Sequence, residues 1–158
     1  MKKYFLQIYF ILLFLPFLCA QGEKAIFIEL GGRGIFYSAN FDYRFSKNYS
    51  GLGITSGIEF LPLPSDQEEK SYIFSLGVEL NKTWGQGNWY PEVGVGLDYF
   101  KENDFNSVLP RLTAAVRFQK PYSGFFFRPA INFIGILQPE NSSLPPFWGG
   151  IGLGFSFN

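Results

Sequence analysis

The chain has 158 residues, room for one domain, and is 47% hydrophobic, 20% aromatic and only 16% charged. A soluble domain carries about 25% charged residues, and here 13 basic residues balance 13 acidic ones, so neither an ordinary water-facing surface nor a basic nucleic-acid surface is expected. Histidine is absent, which removes the side chain most used as a general base near neutral pH.

The N-terminus reads as a signal peptide, residues 1–20. Lys2 and Lys3 precede the apolar run Tyr4 to Leu18, and Ala20 offers a small residue for cleavage before Gln21. The run is shorter than the roughly 20 residues a spanning helix needs. Leu18 stands where a lipoprotein signal wants a small residue before Cys19. That cysteine is the only one in the chain, so the mature protein, residues 21–158, has no disulfide to hold it. Without Lys2 and Lys3 it carries 11 basic and 13 acidic residues.

From Lys24 onward the pattern alternates with period two, the mark of half-buried strands. Ile26, Ile28 and Leu30 oppose Glu29. Tyr37, Ala39, Phe41, Tyr43 and Phe45 oppose Ser38, Asn40, Asp42 and Arg44. Leu52, Ile54, Ile58 and Phe60 oppose Gly53, Thr55, Gly57 and Glu59. Tyr72, Phe74, Leu76, Val78 and Leu80 oppose Ser75, Gly77, Glu79 and Asn81. Trp89, Val93, Val95, Leu97 and Tyr99 oppose Glu92, Gly94, Gly96 and Asp98. Leu112, Ala114, Val116 and Phe118 oppose Arg111, Thr113, Ala115 and Arg117. Phe125, Phe127, Ile131 and Phe133 oppose Arg128, Ala130 and Asn132. Phe147, Ile151, Leu153, Phe155 and Phe157 oppose Gly150, Gly152, Gly154 and Ser156. That makes eight strands, each near the 9 to 11 residues or so of a tilted membrane-spanning strand.

The connections fall into two kinds. Residues 46–51, 85–88 and 120–124 are short and turn-like, whereas 62–70, 101–107 and 138–146 are longer and polar. The first, "GGRG" at 31–34, is short where a long one is expected. Short turns at one end and long loops at the other describe an all-β, eight-stranded, antiparallel up-and-down transmembrane barrel of an outer membrane, with both termini periplasmic.

A soluble lipocalin-like barrel binding an apolar ligand also alternates, with apolar residues inside. Three features favour the inverse. The apolar faces carry almost no charge. The other face mixes small residues with Glu29, Asp42, Glu59, Glu79, Glu92 and Asp98 against Arg44, Arg111, Arg117 and Arg128. An eight-stranded barrel has little internal room, and arginine suits buried carboxylate pairs, so these ten residues are expected to form a structural ion-pair network in the lumen. The excess of two acids calls for help from Tyr, Asn or water, or for an acid near the mouth. Aromatics also gather at strand ends. Tyr43, Phe45, Trp89, Phe118, Phe125, Phe155 and Phe157 form one expected girdle, and Tyr37, Phe60, Tyr72, Tyr99, Phe133 and Phe147 the other.

The stretch "IELGGRGIFYSANFDYRFSKNYSGLGITSGIEFLP", with "FFFRPAINFI" and "PFWGGIGLGFSF", resembles a group of small outer-membrane β-barrels of Bacteroidetes-type bacteria, barrels of the OmpA/OmpX-like kind. The resemblance implies fold and membrane and brings no established activity. It also implies that Glu29, Asp42, Arg44, Arg111 and Arg128 sit at characteristic lumen positions. The glycine-containing last strand ending in Phe157 resembles the signal read by the barrel-assembly machinery, although Asn158 follows the aromatic.

No chemistry stands out. Glu59, Glu79, Glu92 and Asp98 are better read as arginine partners than as an acid–base pair. The acidic runs Asp66–Glu69 and Glu102–Asp104 lack calcium-loop spacing, and the "GVG" and "GLG" pairs lie inside strands with no helix to follow. The expectation is a monomeric barrel without cofactor, metal, nucleic-acid partner or catalysis. Its surroundings are outer-membrane lipid and lipopolysaccharide, and its role is structural or mediated by its loops. A narrow channel is the alternative.

Overall fold

The computed structural model describes residues 23–33, 36–46, 49–63, 71–102, 105–120, 123–134 and 146–157. The signal peptide expected at 1–20, and the acidic run 66–69, lie outside them. Eight strands follow in order: β1 (Lys24–Gly31), β2 (Tyr37–Arg44), β3 (Gly51–Leu63), β4 (Ser71–Thr83), β5 (Trp89–Glu102), β6 (Phe105–Gln119), β7 (Ser123–Ile134) and β8 (Phe147–Phe157). Each pairs antiparallel with the next, and β8 returns to β1 to make a closed up-and-down barrel. Closure is what lets such a sheet do without edges.

Alternation dictates which face each residue takes, and the pairings lock it. Glu29 stands opposite Ser38 on β2 and Gly152 on β8, so polar and small residues meet around the ring. One step along, Ile28 stands opposite Ala39 and Leu153. A slip of one residue would exchange the two faces completely. The polar face is the inner one. Glu79 and Arg117 are fully buried, while Leu97 and Ile131 are 58% and 62% exposed. Among the described residues no helix is long and apolar enough to cross a membrane.

Two connections differ from the sequence expectation. Residues 101–107 read as a loop because they are polar. Instead β5 and β6 run on together until Glu102 faces Phe105, leaving only 103 and 104 between them. Their alternation persists through the polar stretch: Asn106 and Val108 are exposed and Leu109 is buried. Periodicity outranks polarity here. The connection between β1 and β2 occupies 32–36, and part of it lies inside the barrel.

Candidate functional site: the charged interior

The strands deliver all ten expected lumen residues to the inner face, where each is 2% exposed or less. Proximity across the narrow barrel joins residues far apart in sequence. Arg128 on β7 reaches Glu29 at 2.9 Å, Glu92 at 2.7 Å and Glu79 at 3.2 Å. Arg117 on β6 contacts Glu92 at 2.6 Å and grips both oxygens of Asp42, at 2.7 and 3.0 Å. Arg44 shares Asp42 at 2.9 Å. Arg111 joins Glu79 at 3.2 Å and Asp98 at 2.9 Å. These contacts form one connected set. A lone buried charge is costly, and here each guanidinium is met by one to three carboxylates.

Neutral side chains add hydrogen bonds to two of the carboxylates. Thr55 donates its hydroxyl to Asp42 at 2.7 Å, and Thr113 donates to Glu79 at 2.6 Å. Asn81 accepts from Arg44 and donates to Thr55. The glycines of the inner face make the space. A Cβ at Gly94 would lie 2.6 Å from the Glu79 carboxyl carbon.

A fifth guanidinium joins them. Arg33 belongs to the β1–β2 connection, yet it is 2% exposed and its side chain runs into the barrel. One amino group donates to the carbonyls of Thr55 at 3.0 Å and Gly77 at 3.1 Å, and the other lies 3.7 Å from Glu79. Its stem occupies a slot at Gly57 and Gly77, where a Cβ would sit 2.7 and 3.0 Å from its Cδ. Gly31 and Gly32 both have φ of +67°, which lets the chain turn inward.

Glu59 is expected as an arginine partner; the structure instead gives one of its oxygens the backbone N–H of Phe36 at 3.1 Å and of Tyr37 at 3.4 Å, and the other accepts from Ser75. Glu29 accepts the N–H of Arg33 at 3.1 Å, and the Trp148 indole donates to Gly32. Two carboxylates and an indole thus hold the inward turn from both sides.

No protein-family model and no curated protein matches the sequence. Solved structures do. The N-terminal β-barrel domain of Pseudomonas aeruginosa OprF superimposes with a TM-score of 0.54 at 14% identity, over 86% of this chain and 96% of that one. The fold is that of an outer-membrane-type β-barrel. Two further matches, Neisserial surface protein A (TM-score 0.42, 12% identity, 86% and 93% covered) and Ail, the attachment invasion locus protein of Yersinia pestis (0.41, 16%, 86% and 99%), are more distant.

The barrel interior also holds apolar residues that the sequence reading passed over. Ala25, Phe27 and Phe126 cluster on the inner face, the two rings 4.8 Å apart. The Arg117 guanidinium lies 5.1 Å from the Phe126 centroid and that of Arg128 lies 5.9 Å from Phe27. Such contact with an aromatic face is attractive to a cation. Phe100 and Leu109 pack with Trp148. The signal was available, since each stands in the inward register. Their apolar character hid it.

The rim aromatics take outward positions at the two ends. Phe45, Trp89, Phe125 and Phe155 are exposed by the short turns, with Phe118 and Phe157 half-buried beside them. Tyr37, Phe60, Phe133 and Phe147 are exposed at the other end, with Tyr72 and Tyr99 half-buried. Ring contacts link neighbours, as in Trp89–Phe118 at 4.9 Å and Phe60–Tyr72 at 5.8 Å. Tyr43 departs from the expectation. It keeps the outward register opposite Lys24 and Ile54, but it is buried, its ring 5.7 Å from Phe45. Trp84 and Phe36 are exposed aromatics that were not anticipated.

Among the described residues no group of His, Cys, Asp and Glu could hold a metal ion. Glu29, Asp42, Glu79, Glu92 and Asp98 already face guanidiniums. What the arrangement does chemically is neutralise charge inside an apolar shell.

Proposed function

We propose that the protein is an integral outer-membrane β-barrel, monomeric and delivered by its N-terminal signal, with an interior closed by side chains. Its role is structural or mediated by the loops at the far end from the short turns. It performs no catalysis. One observation carries the reading: the faces are inverted relative to a soluble barrel. Five arginines are buried inside while isoleucine, leucine, valine and phenylalanine side chains are exposed on the outside of every strand but β2, which exposes Tyr37 and Ala39. Water does not stabilise such a shell, and a bilayer does. A soluble barrel would need the opposite arrangement.

Heat modification on a gel tests this. The full chain, expressed with its signal, should fractionate with outer membranes and migrate faster unboiled than boiled. Soluble periplasmic protein with no shift would overturn it. Planar-bilayer recording tests the closed interior, with no stepwise conductance expected.

A further inference from the structure

The charges divide sharply across the barrel wall. Every carboxylate whose side chain is described is buried. The described lysines stay at the surface, and three of them ring one end. Lys24 stands opposite Tyr43 and Phe157, Lys82 opposite Leu52 and Val93, and Lys120 directly follows β6. All three lie by the short turns. Those connections, 45–50, 84–88 and 120–122, contain no Asp or Glu. At the other end, three of the four connections contain acids: three in 64–70, one in 103–104 and one in 135–146.

Lys82 has a distinctive setting. It is exposed on the apolar outer face, with its ammonium 5.4 Å from the centroid of the exposed Trp84. Beside it runs a groove lined by Leu52, Leu80, Val93, Val95 and Leu112. A ligand for this surface must offer an anion at one end and a long apolar chain at the other. An acidic peptide satisfies only the first requirement. We propose that the short-turn rim is a collar for anionic phospholipids, with Lys82 holding a headgroup phosphate, an acyl chain in the groove, and Lys24 and Lys120 binding further headgroups around the ring. The proposal rests on the membrane reading above and adds a lipid preference to it.

Tryptophan quenching by brominated lipid tests it. The full chain is reconstituted in phosphatidylcholine vesicles with equal mole fractions of brominated phosphatidylglycerol or brominated phosphatidylcholine. Trp84 and Trp89 report from this rim. The anionic lipid should quench more, its local enrichment being roughly fivefold per lysine. K82Q should reduce that excess and K24Q/K82Q/K120Q should abolish it, with quenching by the neutral lipid unchanged. Equal quenching by both lipids in the unaltered chain would overturn the collar, as would an excess that survives the triple substitution. Loss of the excess on adding inorganic phosphate, but not chloride of matched ionic strength, would replace the lipid by a free anion. Absence of quenching by either lipid would refute the membrane reading and the collar with it.

Discussion

The two halves of the interior are built differently. Near the short turns, Asp42 and Arg44 pair along β2, Glu92 and Arg117 pair between neighbouring β5 and β6, and Arg117 reaches Asp42 across the barrel. Near the longer connections, Glu29 and Glu59 spend oxygens on the backbone of the β1–β2 connection, and Arg33 descends from that connection. The ion pairs of the first half come from strands alone. The second depends on a segment that could lift away without unzipping a single strand pair. Local stability in proteins is not uniform, and here the division follows which elements supply the charges.

Arg128 joins the halves, since it alone bridges Glu29, Glu79 and Glu92. Its replacement gives the largest expected effect. Arg128→Met should destabilise the barrel by about 3–5 kcal/mol, the usual cost of stranding buried partners, read from the urea midpoint in a bilayer. A loss below about 1 kcal/mol would mean that the interior is wetter than its burial indicates.

Arg33→Met sharpens the comparison. Methionine fits the slot at Gly57 and Gly77 but cannot bond the carbonyls of Thr55 and Gly77. The expected loss is about 1–3 kcal/mol. Hydrogen exchange should quicken at the amides of Phe36 and Tyr37 and stay slow at Arg44. Uniform acceleration would make the two halves one cooperative unit.

The sequence shows the strand-built half plainly. Arg117 and Asp42 each interrupt a small-residue face at the correct parity, and narrowness of an eight-stranded barrel does the rest. Arg33 was not legible, because it has no strand register and the "GGRG" around it reads as a surface turn. Only the count hinted at it: four strand arginines left two acids over, and the connection supplies a fifth cation. Phe27 and Phe126 were missed for the opposite reason. Their parity was right, but an apolar residue on a polar face looks like an error in the pattern until the guanidiniums of Arg128 and Arg117 are seen against the rings. The β5–β6 hairpin shows the same lesson, since parity survived where composition suggested a loop.

Glu23 offers a gentler test at the short-turn mouth. Burial raises its carboxyl above the ordinary 4.5, and the Tyr49 hydroxyl and Lys24 offset this only in part. A raised carboxyl favours folding while protonated. Its contribution is therefore complete below pH 4.5 and fades as pH climbs through the raised value. Glu23→Gln should flatten that part of the stability profile in urea titrations at a series of pH values. An unchanged slope would remove Glu23 from account.

The smallest effect is expected outside both halves. Lys101 sits half-buried on the outer register of β5, opposite Phe74 and Asn106. Lys101→Glu should change the urea midpoint by no more than about 0.5 kcal/mol, against the large loss at Arg128. Equal, negligible effects at both positions would dissolve the distinction between interior and surface charge.

The seam between β1 and β8 has a consequence in time. Every other strand pair joins neighbours along the chain, and each can zip as soon as its hairpin exists. Lys24 meets Phe157, the two ends of the described sheet. Distant pairings form slowly, and an unpaired strand is a template for any other chain. Until β8 arrives, β1 and β7 each present such an edge. Open edges therefore persist through every state short of the closed barrel and vanish only when the final strand docks.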